Sequence, residues 1–336
     1  MLVRLISLAT FLGIVLCVSG QEKRFSFSSI KMGSPFTIVF YDKDSTHAAK
    51  LASAAFALVD SFANIYSDYI DSSELNKLSR SAGSNKYMPV TPALYDILLQ
   101  SQKAYAASKG AFDITIGPVV KLWRKARKEQ KFPDSSSIKK AMNLVGFDKV
   151  KIDKHSKSIL LEKAGMQLDL GGIAQGYIAQ KILERLKQQS IKSILVDVSG
   201  DIILGDAPPG KKGWIIGVNL PEQTDILHNK KLVLSNCAVS TSGDIYQYIV
   251  HNGKKYSHII NPLTGYGVTS GSNVTVIAND ATTADWLATS CSILSFRKAK
   301  RIARKMNAAL MSAHINNTKA VIINATNNFQ KHLVGE

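Results

Sequence analysis

The stretch NVTVIANDATTADWLATS, residues 273–290, changes its period halfway along. Residues 273–278 are apolar and β-branched, as in a strand. Asp280 then stands where a helix N-cap belongs, ahead of a run of small and apolar residues that begins at Ala281. A strand that feeds a helix suits a doubly wound parallel sheet as well as an antiparallel one, so the neighbouring segments decide. Further strand-like runs lie at 193–198, 214–218, 231–234, 246–251 and 319–323, several joined by short turns. Helical periodicity appears at 47–65, 92–108 and 173–189, without regular βαβ alternation. Strands that follow strands predict an α+β fold built on antiparallel sheet and flanked by helices.

Within the same stretch Asp285 is one acidic side chain on an otherwise apolar helix. Thr289, four residues on, lies on the same helical face. A carboxylate and a hydroxyl are both hard oxygen donors, suited to part of a Mg²⁺ shell; pairing with a buried cation or capping a loop explains Asp285 equally well.

The N-terminus works outward from a different signal. Residues 1–20 hold one Arg, an apolar run from Leu5 to Val18 and small residues at Ser19 and Gly20, the pattern of a secretory signal. Cleavage near Gly20, retention as an anchor and lipid attachment at Cys17 are the alternatives; each places the remaining chain, 21–336, outside the cytoplasm. The 336-residue chain carries 42 Lys and Arg against 25 Asp and Glu, a formal charge of +17 that falls to +16 when Arg4 leaves with the signal. Such a balance favours anionic partners. The densest basic run, 297–305, has helical spacing with Ile302 and Met306 turned inward, which makes it one wet helix face. No nucleic-acid-binding signature accompanies it. Cys237 and Cys291 sit in apolar settings outside any CxxC pattern, which argues against zinc and leaves pairing or free thiols open.

Four more segments carry polar chemistry. LDLGGIAQGY, 168–177, reads as a short strand followed by glycines that open a helix, where backbone N–H groups can meet an anion. VDVSGDI at 196–202 and AVSTSGD at 238–244 run from strand into polar turn, and YSHIINPLTG at 256–265 places His258 before an Asn-Pro turn. An imidazole there can bond a phosphate or move a proton. The polar segment 121–137 reads as a surface excursion whose serines at 135–137 cap the next helix.

In their order these segments, with MGSPFTI at 32–38, SSELNKL at 72–78, GAFDITIGPVV at 110–120 and ATTADWLAT at 281–289, resemble the ApbE family of flavin transferases. The resemblance spans nearly all of 21–336. It implies an ApbE-like α+β fold with a T-fold-like core, and an enzyme that uses FAD with Mg²⁺, or Mn²⁺, and transfers FMN to a Thr or Ser hydroxyl of an acceptor protein, releasing AMP. It implies Asp285, Thr289 and the Gly172 carbonyl as metal ligands, His258 and Asp285 as catalytic groups, and Met32, Gly33, Asn76, Gly117, Gln175, Asp201, Thr241 and His258 in the FAD pocket. It further implies acceptors such as flavin-carrying subunits of sodium-pumping NADH:quinone reductase or Rnf-type complexes, met at the periplasmic side of the inner membrane. The rival readings are a FAD pyrophosphatase that yields FMN and AMP, and a FAD-binding protein without turnover.

Three positions depart from the family pattern. Gln175 stands where many relatives have Lys, Ile245 where a Tyr stacks on flavin, and Asn261 where Asp is frequent in the turn. Tyr246 follows Ile245 but points to the opposite face of a strand. Asn261 suits the turn as well as Asp does.

Overall fold

The computed structural model describes residues 21–218, 231–243, 247–315 and 321–334. The signal segment 1–20 and the pair Ile245–Tyr246 lie outside them.

An eight-stranded sheet organises the molecule. Its strands are Lys23–Lys31 (β1), Ser34–Asp42 (β2), Ile194–Val198 (β3), Asp201–Leu204 (β4), Ala238–Gly243 (β5), Ser272–Ala278 (β6), Ala309–Ile315 (β7) and Val321–Ala325 (β8). Every neighbouring pair is antiparallel, and the spatial order is the chain order. The α+β reading with antiparallel sheet therefore holds. What disguises the simple order in the sequence is insertion. Between β2 and β3 come Ser45–Tyr66 (α1), Glu74–Arg80 (α2), Pro92–Ser108 (α3), Gly117–Glu129 (α4), Ser135–Met142 (α5) and Ala174–Gln188 (α6), and between β6 and β7 come Ala281–Ile293 (α7) and Phe296–Lys305 (α8).

Because side chains alternate along a strand, each sheet face makes its own core. One face, with Val274, Val276 and Leu310, packs under α1, α3, α6 and α7. The other, with Val239, Ile277 and Met311, is covered by a small sheet made of Trp214–Gly217, Lys231–Leu234 and Leu333–Val334. Residues of β6 are buried throughout because both faces are covered. Cys237 packs into one core and Cys291 into the other, so the sheet separates them and both are free thiols.

The capping signals act as read at α7, where Asp280 accepts the Thr283 N–H at 2.7 Å. They act differently at α5. The serines 135–137 lie inside the helix, and Asp134 is the cap, accepting the Ser137 N–H at 2.8 Å and both the Ser136 and Ser137 hydroxyls. Residues 168–170, read as a strand, form none; their backbone runs irregularly into the turn before α6. The segment 121–137 is no excursion either. Trp123 of α4 is fully buried, 5.8 Å from the ring of Tyr256, and its Nε1 donates to the Gly265 carbonyl at 2.8 Å. That bond fastens α4 to the segment that carries His258.

Candidate active site

Between α4, the start of α6, α7 and the ends of β4 and β5 lies a cleft with a cavity of about 310 Å³. The first turn of α6 meets α7 side by side. A Cβ at Gly176 would lie 2.7 Å from the Asp285 Cβ and nearer still to the Ala281 carbonyl, so only glycine permits this approach. The closeness lets the Gly176 N–H donate to Asp285 Oδ2 at 2.9 Å. Asp285 is 5% exposed, and burial together with the nearby Asp201 pushes its carboxyl well above the ordinary range. One turn on, Thr289 closes against Gly172, where an added Cβ would lie 3.1 Å from the threonine hydroxyl.

Asp201 is held by the Ser240 hydroxyl, and burial first, then Asp197, pushes it up to about 7. No ion pair reaches Asp201 or Asp285 among the described residues. Two buried acids with a hydroxyl and a close-lying backbone form a hard-oxygen donor set that suits a divalent cation of the Mg²⁺ or Mn²⁺ kind.

The opposite wall is cationic. Arg124 donates to Asp169 at 3.0 Å and to Asp68, and its guanidinium lies 4.3 Å from the centre of the Tyr69 ring. Arg127, three residues on, has a buried Nη1 without a partner. Burial lowers its pKa, and the like charge of Arg124 adds to that. His258 has a buried, unpartnered Nδ1, and burial followed by the charge of Arg127 lowers its pKa, so the imidazole is neutral at neutral pH. The Arg127 N–H buried without an acceptor is costly unless an anionic ligand satisfies it, and the open Nδ1 of the neutral His258 ring can donate or accept according to its tautomer.

Of the residues singled out in the sequence, Gly172, Gln175, Asp201, Thr241, His258, Asp285 and Thr289 line this cleft. Four do not. Met32 and Gly33 make the turn between β1 and β2, at φ 52° and 73°, and reach the rim through Ser34, 3.4 Å from Gln175 Nε2. Asn76 stands behind the wall and donates to the Asp68 and Ile70 carbonyls at 3.1 and 2.9 Å, which holds the loop bearing Tyr69. At Gly117 a Cβ would meet the Gln167 carbonyl at 2.5 Å, so that glycine serves packing. These four therefore stand at the rim of the cleft or behind its wall, outside the lining of the cavity.

Sequence reasoning missed Tyr69, Arg124, Arg127, Asp169 and Ser240. For the arginines a signal existed: Val119, Trp123 and Ala126 form the buried column of α4, and Val120, Arg124 and Arg127 form the column beside it. The glycine turn also works otherwise than read. Gly171 donates to Asp169 at 2.8 Å and Gly176 to Asp285, so these two N–H groups are committed to carboxylates of the protein. The Asn261 turn is as expected, with its Oδ1 accepting the Leu263 N–H at 2.9 Å.

An antiparallel α+β frame that gathers two buried acids, an unsatisfied arginine and a neutral histidine in one cleft defines a protein built to hold an anionic ligand beside hard oxygen groups. Residues 32–312 match the ApbE family, and the chain belongs to that family. It is similar to the FAD:protein FMN transferase of Klebsiella pneumoniae, at 30% identity over 79% of this chain and 81% of that one. It is also similar to the FAD:protein FMN transferase of Haemophilus influenzae, at 28% identity over 91% and 90%. Among solved structures, the ApbE protein of Thermotoga maritima superimposes with a TM-score of 0.82 at 26% identity, covering 92% of this chain and 99% of that one. The apo flavinyl transferase ApbE of Pseudomonas stutzeri gives 0.82 at 25% identity, with 93% and 97% covered.

Proposed function

We propose that this protein is an exported, Mg²⁺-dependent FAD:protein FMN transferase. It cleaves the FAD pyrophosphate, joins FMN through a phosphoester to a Thr or Ser hydroxyl of an acceptor protein, and releases AMP. The observation that carries the reading is the pair of buried, unpartnered groups, Arg127 Nη1 and His258 Nδ1, across the cleft from Asp285, Thr289 and Gly172. The names of the relatives support it.

Asp285, Thr289 and the Gly172 backbone would hold the Mg²⁺, which when bound neutralises charge on the phosphate oxygens. Arg127 binds the pyrophosphate by a charge-assisted bond and orients it. His258, neutral and unbonded at Nδ1, is set to take the proton from the acceptor hydroxyl. The hydroxyl oxygen forms the new bond to the phosphorus of the FMN half, and the bond from that phosphorus to the bridging oxygen breaks. AMP departs with the bridging oxygen and its electron pair. Gln175 supplies a neutral hydrogen-bond donor where many relatives carry a cation. The acceptors in view are flavin-carrying subunits of sodium-pumping NADH:quinone reductase or Rnf-type complexes, outside the cytoplasm.

The test is incubation with FAD and Mg²⁺, with and without an acceptor domain, read by intact mass and by AMP release. An acceptor heavier by one FMN, with equimolar AMP, is the expected result. AMP without an adduct makes the protein a pyrophosphatase, and retention of intact FAD makes it a flavin-binding protein.

A further inference from the structure

A second cavity, of about 500 Å³, adjoins the cleft. The two share Ile293, which on α7 follows Asp285 and Thr289 at intervals of four residues, so one helical stripe runs from the paired acids to the second cavity. The floor is continuous as well. Ser242 pairs with Val274, Val274 with Ser312 and Ser312 with Asn324, one residue from each of β5, β6, β7 and β8 in a single row across the sheet. Ser242 lines the cleft and the other three line the second cavity. At the usual strand spacing this row is about 14 Å long, the reach of about four residues of extended chain.

The two compartments differ in charge. The cleft presents Arg124, Arg127, Asp169, Asp201 and Asp285. The described lining of the second cavity holds no Asp, Glu, Lys or Arg, in a chain that carries 67 of them. It offers hydroxyl, amide and imidazole groups, Ser312, Asn324 and His314 among them, beside the apolar Val274, Leu310 and Phe296. Such a surface suits backbone amides and small neutral side chains, and it leaves a charged segment desolvated without a partner.

We propose that this second cavity is the docking groove for the acceptor protein, which lays an uncharged, extended segment across β6 to β8 and delivers its hydroxyl past Ile293 to the cleft. The proposal rests on the transferase reading and names where its second substrate binds. Ile293 is the threshold between the two substrates. The charged compartment takes the nucleotide, and the neutral one selects the polypeptide.

The experiment uses synthetic peptides of about twelve residues, each with one threonine and with flanks that are neutral, acidic or basic; this length spans the row and the threshold. Wild-type protein, Ser312→Trp and Asn324→Trp are compared for peptide labelling by FMN, for AMP release without peptide, and for FAD affinity. Wild type labels the neutral-flanked peptides preferentially. The tryptophans raise the peptide KM by about tenfold or more and leave FAD affinity and kcat at saturating peptide unchanged, the pattern of a lost ground-state contact with one substrate. Asn324→Trp, on the edge strand, stands in if Ser312→Trp does not fold, and FAD affinity reports folding for both. Preferential labelling of the charged-flanked peptides, or labelling that neither tryptophan alters, overturns the groove and leaves the transferase reading standing, whereas AMP release with no peptide labelled makes the protein a pyrophosphatase. Failure of the wild type to release AMP overturns the transferase reading itself.

Discussion

Replacing Gly176 by alanine tests the contact on which the site is built. The added methyl would lie 2.7 Å from the Asp285 Cβ and closer to the Ala281 carbonyl, both on α7. Neither neighbour is the free end of a flexible side chain, so α6 and α7 must move apart. Overpacking of this kind costs about 1–3 kcal/mol. The same movement stretches the 2.9 Å bond from Gly176 N–H to the Asp285 carboxyl, and a hydrogen bond of this kind contributes about 0.5–1.5 kcal/mol. Against these, alanine gains about 1 kcal/mol over glycine in a helix. The net is a loss of about 2 kcal/mol, or about 3 °C in Tm for a chain of this size. Urea unfolding checks it, with Gly217→Ala as control because nothing lies within 4 Å of a Cβ there. A Gly176→Ala protein within about 0.5 kcal/mol of wild type, the ordinary scatter of surface substitutions, would refute the claim that glycine sets the distance between the helices.

Further outcomes follow from the same geometry. Asp285→Ala abolishes Mg²⁺-dependent AMP release and leaves a folded protein, checked by product chromatography and circular dichroism; full activity would place the metal elsewhere. Arg127→Ala weakens FAD binding by about tenfold to a hundredfold, the worth of one charge-assisted bond, measured by calorimetry. Asp201, pushed up to about 7 by burial, gives a pH signature. Its folded-state value lies above its unfolded one, so its contribution to stability is fully present below about pH 4 and is lost as pH rises through about 7. The span is at most about 4 kcal/mol, and Asp201→Asn flattens the stability profile over that window in urea titrations across pH. A variant as pH-dependent as wild type there removes Asp201 as the cause.

The parts of this molecule that show in its sequence are those that local chemistry fixes. Asp280 caps α7 because its side chain is three residues from the N–H it accepts, and α3 runs over 92–108 between a Thr cap and a left-handed turn at Lys109. Asp285 and Thr289 stand together because a helix brings every fourth residue round. The order of the main sheet is hidden by contrast, since β2 meets β3 only after six intervening helices have been folded away. Arg124 and Arg127 look like solvated charges for the same reason. They become cleft residues only because Trp123 is bound to Gly265, 142 positions along the chain.

The glycine-rich turn shows why the right segment can be chosen for a different reason from the one that operates. Glycines ahead of a helix suggest backbone N–H groups bared to a phosphate. In the folded protein two of those N–H groups are spent on Asp169 and Asp285, and among the described residues that line the cleft the buried polar atoms left without partners belong to Arg127 and His258, from segments far away in sequence. The turn therefore acts on an anion at one remove: it sets the position of the carboxylates, and side chains across the cleft meet the charge. An alanine at 176 should accordingly disturb metal-dependent turnover before it disturbs binding of the adenine nucleotide, because it displaces Asp285 and leaves Arg127 where it is.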